Sequence, residues 1–94
     1  MHFLWDDTKN RLNKAKHCVS FEIASLVFAD PLHISVLDRI ESGEERWQTL
    51  GMAGGVVVLL VAHTFMEEGG EEVVRIISAR KATRKERQRY EEGH

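Results

Sequence analysis

Ninety-four residues make one domain's worth of chain, with 43% hydrophobic residues, 30% charged residues and a formal net charge of −2. That mix excludes wholesale disorder, and the single Cys18 excludes a disulfide framework or a zinc ribbon. The longest apolar run, residues 56–62, is far short of the ~20 that cross a bilayer, and Trp5-Asp6-Asp7 puts acids where a signal peptide needs an apolar stretch. A reduced, soluble, cytoplasmic protein of one domain, 1–94 with 93–94 as a tail, is expected.

In chain order, Phe3-Leu4-Trp5 suits a short strand or the edge of the core. Asp6 reads as the N-cap of a helix from Asp7 to about His17, polar over most of its surface, with Leu12 and Ala15 as inward contacts. Ser20 caps a second helix, in which Phe21, Ala24, Val27 and Phe28 recur at helical spacing. Asp30-Pro31 ends it, because the residue before a proline is pushed out of the helical region. The period then changes. Residues 33–37, 45–50, 56–64 and 73–80 read as strands, punctuated by Ser42-Gly43, Gly54-Gly55 and Gly69-Gly70. Connections that short fit hairpins, so an antiparallel meander is expected, with residues 56–62 in a central strand covered on both sides. Trp47 and Leu50 face inward only in part. Thr83-Arg84-Lys85-Glu86 is a capping box opening a last helix from Arg84 to about Glu92. The fold class is therefore α+β: an antiparallel β-meander with two N-terminal helices and one C-terminal helix packed on the sheet.

The charges are segregated. Lys9, Arg11, Lys14 and Lys16 follow one another without an acid, and His17 comes next. Arg75, Arg80, Lys81, Arg84, Lys85, Arg87 and Arg89 stand against Glu86 alone. Acids gather at Asp38, Glu41, Glu44 and Glu45, and again at Glu67, Glu68, Glu71 and Glu72. Such blocks create local potentials that the total hides. Read blandly, they are solvated faces; a role in binding nucleic acid requires the two basic blocks to meet in space.

Trp5-Asp6-x-x-Lys9-x-x-x-Asn13-x-x-Lys16-His17 and Val19-x-Phe21-Glu22 resemble the opening of the BrnT family of ribonuclease toxins. The similarity continues through Phe28-x-Asp30-Pro31, Glu45-Arg46 with Gly51 five residues on, and Val61-x-His63-Thr64. It closes with the run from Arg75 to Thr83, then Glu86-Arg87 and Tyr90. The resemblance implies a RelE-like fold and an RNA-cutting toxin of a bacterial type II toxin–antitoxin pair. It also implies a BrnA-type antitoxin that blocks the toxin and represses the operon through a ribbon-helix-helix domain, so DNA is met only indirectly. One position departs: Cys18 stands where the family commonly has glycine, at the place where a left-handed residue ends many helices.

Metal-independent RNA cleavage needs a base for the 2′-hydroxyl, a cation for the five-coordinate phosphorane and an acid for the leaving 5′-oxygen. Guanidinium forks match two phosphate oxygens. Arg80, ending the last strand, and Arg84 and Arg87, opening the helix after it, make a phosphate cradle beside helix N-terminal N–H groups. With His17 they form the candidate catalytic set, and Lys16, Lys81, Lys85 and Arg75 the candidate RNA-binding set. Each has a plainer account. Arg84 and Arg87 can be exposed charges paired with Glu86 or Glu91, and His17 a helix cap favoured by the macrodipole. His63, on the face of Val57, Leu59 and Val61, reads first as a satisfied core histidine. Tyr90 can donate a proton or simply pack its ring on the sheet. Arg75 interrupts an apolar strand and needs an acid from the meander if buried. Cys18 reads as a small buried apolar group. No Asp/Glu/His set has metal spacing and no glycine-rich stretch precedes a helix, so neither metal nor cofactor is expected. The competing class of function is a protein that binds RNA or the antitoxin without cutting.

Overall fold

The computed structural model describes residues 1–93. Its elements are β1 His2–Leu4, α1 Asp7–His17, α2 Phe21–Ser25, a 3₁₀ turn Leu26–Ala29, β2 Ile34–Glu41, β3 Glu44–Ala53, β4 Val57–Glu68, β5 Glu71–Lys81 and α3 Arg84–Glu92. The helix starts follow from local side-chain chemistry. Asp6 Oδ1 accepts the Lys9 N–H at 2.9 Å and Ser20 Oγ accepts the Ile23 N–H at 3.2 Å. Thr83 and Glu86 close the reciprocal capping box at 3.2 and 2.8 Å. Both tight hairpins rest on left-handed pairs, Ser42-Gly43 with φ 52° and 77° and Gly69-Gly70 with φ 59° and 82°. Two such residues in a row make the turn whose twist matches the strands it joins.

The strands form one sheet in the order β1-β5-β4-β3-β2. Strands β2 to β5 are the expected antiparallel meander, with β4 at the centre. The description as a pure meander needs correcting, because β1 pairs parallel to β5 from His2↔Val73 to Leu4↔Arg75. A three-residue strand has too little periodicity to announce such a pairing. One face of the sheet carries Leu59, Val61, Val74, Ile76 and Ala79 beneath Val19, Phe21, Ala24 and Val27. On the other, Leu50, Val58 and Leu60 meet Ala82 and Tyr90 at α3. The α3 helix covers only part of that second face; Gln48 and Ala62 are half-buried and Ser78 is exposed.

The expected pair of N-terminal helices also needs correcting. The second is barely more than one α-helical turn, and Leu26–Ala29, with Val27 and Phe28, continues as a 3₁₀ turn. That turn lies so close to β3 that a Cβ on Gly51 would stand 2.8 Å from Val27 Cβ and 2.9 Å from its carbonyl oxygen. Nor does α1 pack on a face of the sheet. Leu12 is 64% exposed and Ala15 is exposed, while Asn13 is buried. The Asn13 amide donates to the carbonyls of Val19 and Ala79, each at 2.8 Å, and accepts the Ala79 N–H at 3.1 Å. A side chain thus satisfies the outer edge of β5 beyond the end of β1, where a strand would otherwise have to pair.

Asp30 ties the last helix to the rest. Its Oδ2 accepts the Tyr90 hydroxyl at 2.5 Å and the Met52 N–H at 2.8 Å, and its Oδ1 the Leu32 N–H at 2.9 Å. Burial works to raise the Asp30 carboxyl, but Tyr90 and the two amides outweigh it and leave it lowered. The same bond, with burial and the facing charge, pushes the Tyr90 phenol up to about 12. Tyr90 therefore packs in the core, as the plainer account has it. Gly93, expected as tail, caps α3 through its N–H to Arg89 at 3.0 Å, and His94 lies outside the described residues. No described helix is long and apolar enough to cross a membrane.

Candidate active site

Asn13 fixes α1 against Ala79, and His17 follows four residues later on the same helix face, so it falls beside the end of β5. The helix stops there because Cys18 turns left-handed, φ 60° and ψ 25°, and returns its N–H to Lys14 at 2.9 Å. Cysteine thus occupies the conformation that favours glycine, and it is exposed, which corrects its expected burial. His17 lines a cavity of about 220 Å³ with Gln48, Leu60, Ala62, Ser78, Ala79 and Arg80. Its floor is the part of the second sheet face that α3 leaves open.

Arg80 is held from behind. Its Nη1 and Nη2 donate to Glu86 Oε1 and Oε2 at 2.7 and 3.0 Å, and Nη1 also reaches the Lys81 carbonyl at 3.2 Å. Of the five guanidinium N–H donors, that leaves Nε–H and the second hydrogen of Nη2, which share one edge of the fork. Glu86 raises the Arg80 pKa further, against partial burial. In return the Arg80 bond holds the Glu86 carboxyl down at about 2 against partial burial, with help from Thr83. Glu86 is therefore ionised at neutral pH and serves as an anchor, not as a proton donor.

The structure brings His17 and Arg80 to one cavity but does not bring Arg84 or Arg87 into it. Arg84, Lys81, Lys85 and Lys16 are exposed, and Arg87 Nη1 donates to the Ala82 carbonyl at 3.2 Å. The helix N-terminus expected as a cradle is partly filled by its own capping box. Arg75 has the acid it needs: its Nη2 donates to Glu44 Oε1 at 2.6 Å. His63 is wholly buried. Its Nδ1 faces the Thr64 carbonyl at 3.4 Å and its Nε2 lies 2.6 Å from the Thr49 hydroxyl, which meets Ser35 Oγ at 2.7 Å. A carbonyl can only accept, so Nδ1 carries the proton and Nε2 accepts from Thr49. Burial holds this imidazole down at about 4, and it stays neutral inside the core. Sequence reasoning missed Gln48 and Ser78, whose only signal is a polar side chain opposite the core face of a strand.

A family model described as the ribonuclease toxin BrnT of type II toxin–antitoxin systems matches residues 5–86. The chain belongs to that family. The crystal structure of the Brucella abortus ribonuclease toxin BrnT is similar, at 27% identity and a TM-score of 0.62, covering 89% of this chain and 99% of that one. No curated protein matches in sequence. The BrnT match takes in both His17 and Arg80, and membership of a type II system implies an antitoxin partner.

Proposed function

We propose that the chain is a metal-independent endoribonuclease that cuts RNA by 2′-hydroxyl attack and arrests growth in the cytoplasm until a BrnA-type antitoxin covers it. RelE-like kinship is part of this proposal. The observation that carries it is the convergence of His17 and Arg80 on one open-topped cavity. With a phosphodiester seated there, the free edge of Arg80 meets the non-bridging oxygens and holds the charge of the phosphorane as it forms. Glu86 stops that edge from turning away. His17 moves a proton, from the attacking 2′-oxygen or to the leaving 5′-oxygen. Lys16, Lys81, Lys85, Arg84 and Arg87, exposed at the ends of α1 and β5 and on α3, hold the backbone of the substrate as solvent-screened charges.

The test is purified, antitoxin-free protein on RNA in EDTA. Cleavage is expected, with His17→Ala costing about 10²–10⁴-fold in rate and Arg80→Ala about 10²–10³-fold. Salt-sensitive RNA binding that never yields cut ends would instead establish the non-catalytic member of the family.

A further inference from the structure

The open sheet face carries a second group of cations, five residues before Arg80 on β5. Arg75 stands opposite Thr64 on β4, and Arg46 is on β3, one residue before the Trp47↔His63 pair. Glu44 Oε1 accepts from Arg75 and lies 3.4 Å from Arg46 Nη2. Glu41 is 4.0 Å from Arg46 Nε, too far to bond it. Arg46 Nε and the Thr64 hydroxyl are accordingly buried without a hydrogen-bond partner. Buried donors in this state are rare, because each forgoes its water and gains nothing in exchange.

A cavity of about 340 Å³ adjoins Arg46, lined also by Asp6, Lys9, Arg75, Ile76 and Ile77. Its charged lining is three cations and one acid, and Asp6 Oδ1 is already engaged as the cap of α1. Neither Glu41 nor Glu44 lines it. Such a pocket takes an anion with several acceptor oxygens. We propose that it is a second phosphate subsite, holding the backbone of the RNA strand away from the reacting phosphate. This rests on the ribonuclease reading. Five residues of strand with one bulge separate Arg75 from Arg80 by about 15 Å. At the about 3.4 Å rise of a stacked strand that is about four nucleotides, and fewer for an extended one. Glu44 is then the acceptor that occupies the arginine pair while RNA is absent.

The experiment compares a single-stranded decanucleotide RNA of mixed sequence with a dinucleoside monophosphate, which fills only the His17–Arg80 cavity. Lys9→Gln, on an exposed side chain, should weaken decanucleotide binding about 3–10-fold and reduce the salt slope by about 0.7. The pair Arg46→Gln and Arg75→Gln should weaken it about 10–100-fold, with twice that change in slope. Glu44→Gln should bind more tightly, and dinucleotide turnover should stay unchanged in Lys9→Gln and Glu44→Gln. Wild-type affinity and slope in Lys9→Gln and in the arginine pair overturn the subsite while leaving the ribonuclease intact. So does a proportional loss of dinucleotide turnover in Lys9→Gln. If the arginine pair fails to fold, Lys9→Gln and Glu44→Gln decide alone. Wild-type protein that cuts neither RNA overturns the ribonuclease reading and the subsite together.

Discussion

Glutamine at position 86 would keep the side-chain length and an oxygen for the Thr83 N–H while removing the charge that Arg80 pairs with. The Glu86 carboxyl titrates at about 2 against an ordinary 4.5. At about 1.36 kcal/mol per pH unit that difference is worth about 3 kcal/mol. The Arg80 side chain is 39% exposed, and solvent screening brings the loss in Glu86→Gln to about 2 kcal/mol. The sign is fixed by linkage: a carboxyl lowered by folding stabilises the protein above its unfolded pKa, and that stabilisation fades as pH falls from 4.5 toward 2. Urea midpoints measured from neutral pH down to about 2.5 should show the variant about 2 kcal/mol weaker at pH 7 and converging on wild type in acid. Equal midpoints at pH 7, or a gap that persists unchanged into acid, would refute the account of Glu86 as a charged anchor.

Three further outcomes are expected. His63, held at about 4 against an ordinary 6.5, contributes stability that is full above pH 6.5 and lost as pH falls to about 4. Denaturant midpoints should therefore drop by about 3 kcal/mol over that window in wild type, and stay flat there in His63→Gln. Asn13→Leu strands the Ala79 N–H and two carbonyls, and should cost about 3 kcal/mol in thermal or urea unfolding. RNA cleavage should fall beyond that loss, since α1 no longer aims His17. Cys18→Gly relieves a left-handed residue and should raise the melting temperature, by about 0.5–1 kcal/mol of stability once the extra freedom of glycine when unfolded is subtracted.

Features written in neighbouring residues were legible in the sequence. The caps at Asp6, Ser20 and Thr83–Glu86 and the two-residue turns depend on positions no more than three apart, and the structure has each of them. The histidine among Val57, Leu59 and Val61 was readable as core because period-two alternation places it there. What escaped depends on distant partners. Asn13 looks like any polar residue of a polar helix until Ala79, 66 residues on, presents the bare edge of β5. Leu12 reads as the inward residue because hydrophobicity is normally the better guide. Arg80 and Glu86 are both visible in the sequence, but there Glu86 reads as a cap or as a partner of Arg84 or Arg87; its pairing with Arg80 needs the angle between β5 and α3. The two basic stretches approach each other at two cavities: His17, which follows the first, lines one with Arg80, and Lys9 lines another with Arg75; neither juxtaposition can be read from charge layout alone.

The bond between Tyr90 and Asp30 joins residues 60 positions apart, and the helix that makes it also carries the carboxylate behind Arg80. A chain is synthesised from its N-terminus, so Asp30 and Arg80 emerge before the helix that ties them together. Until it docks, Arg80 lacks the carboxylate that holds it. Strands β2 to β5 can thus pair before the candidate site is complete, and Arg80 gains its anchor only when residues 84–92 dock on Asp30.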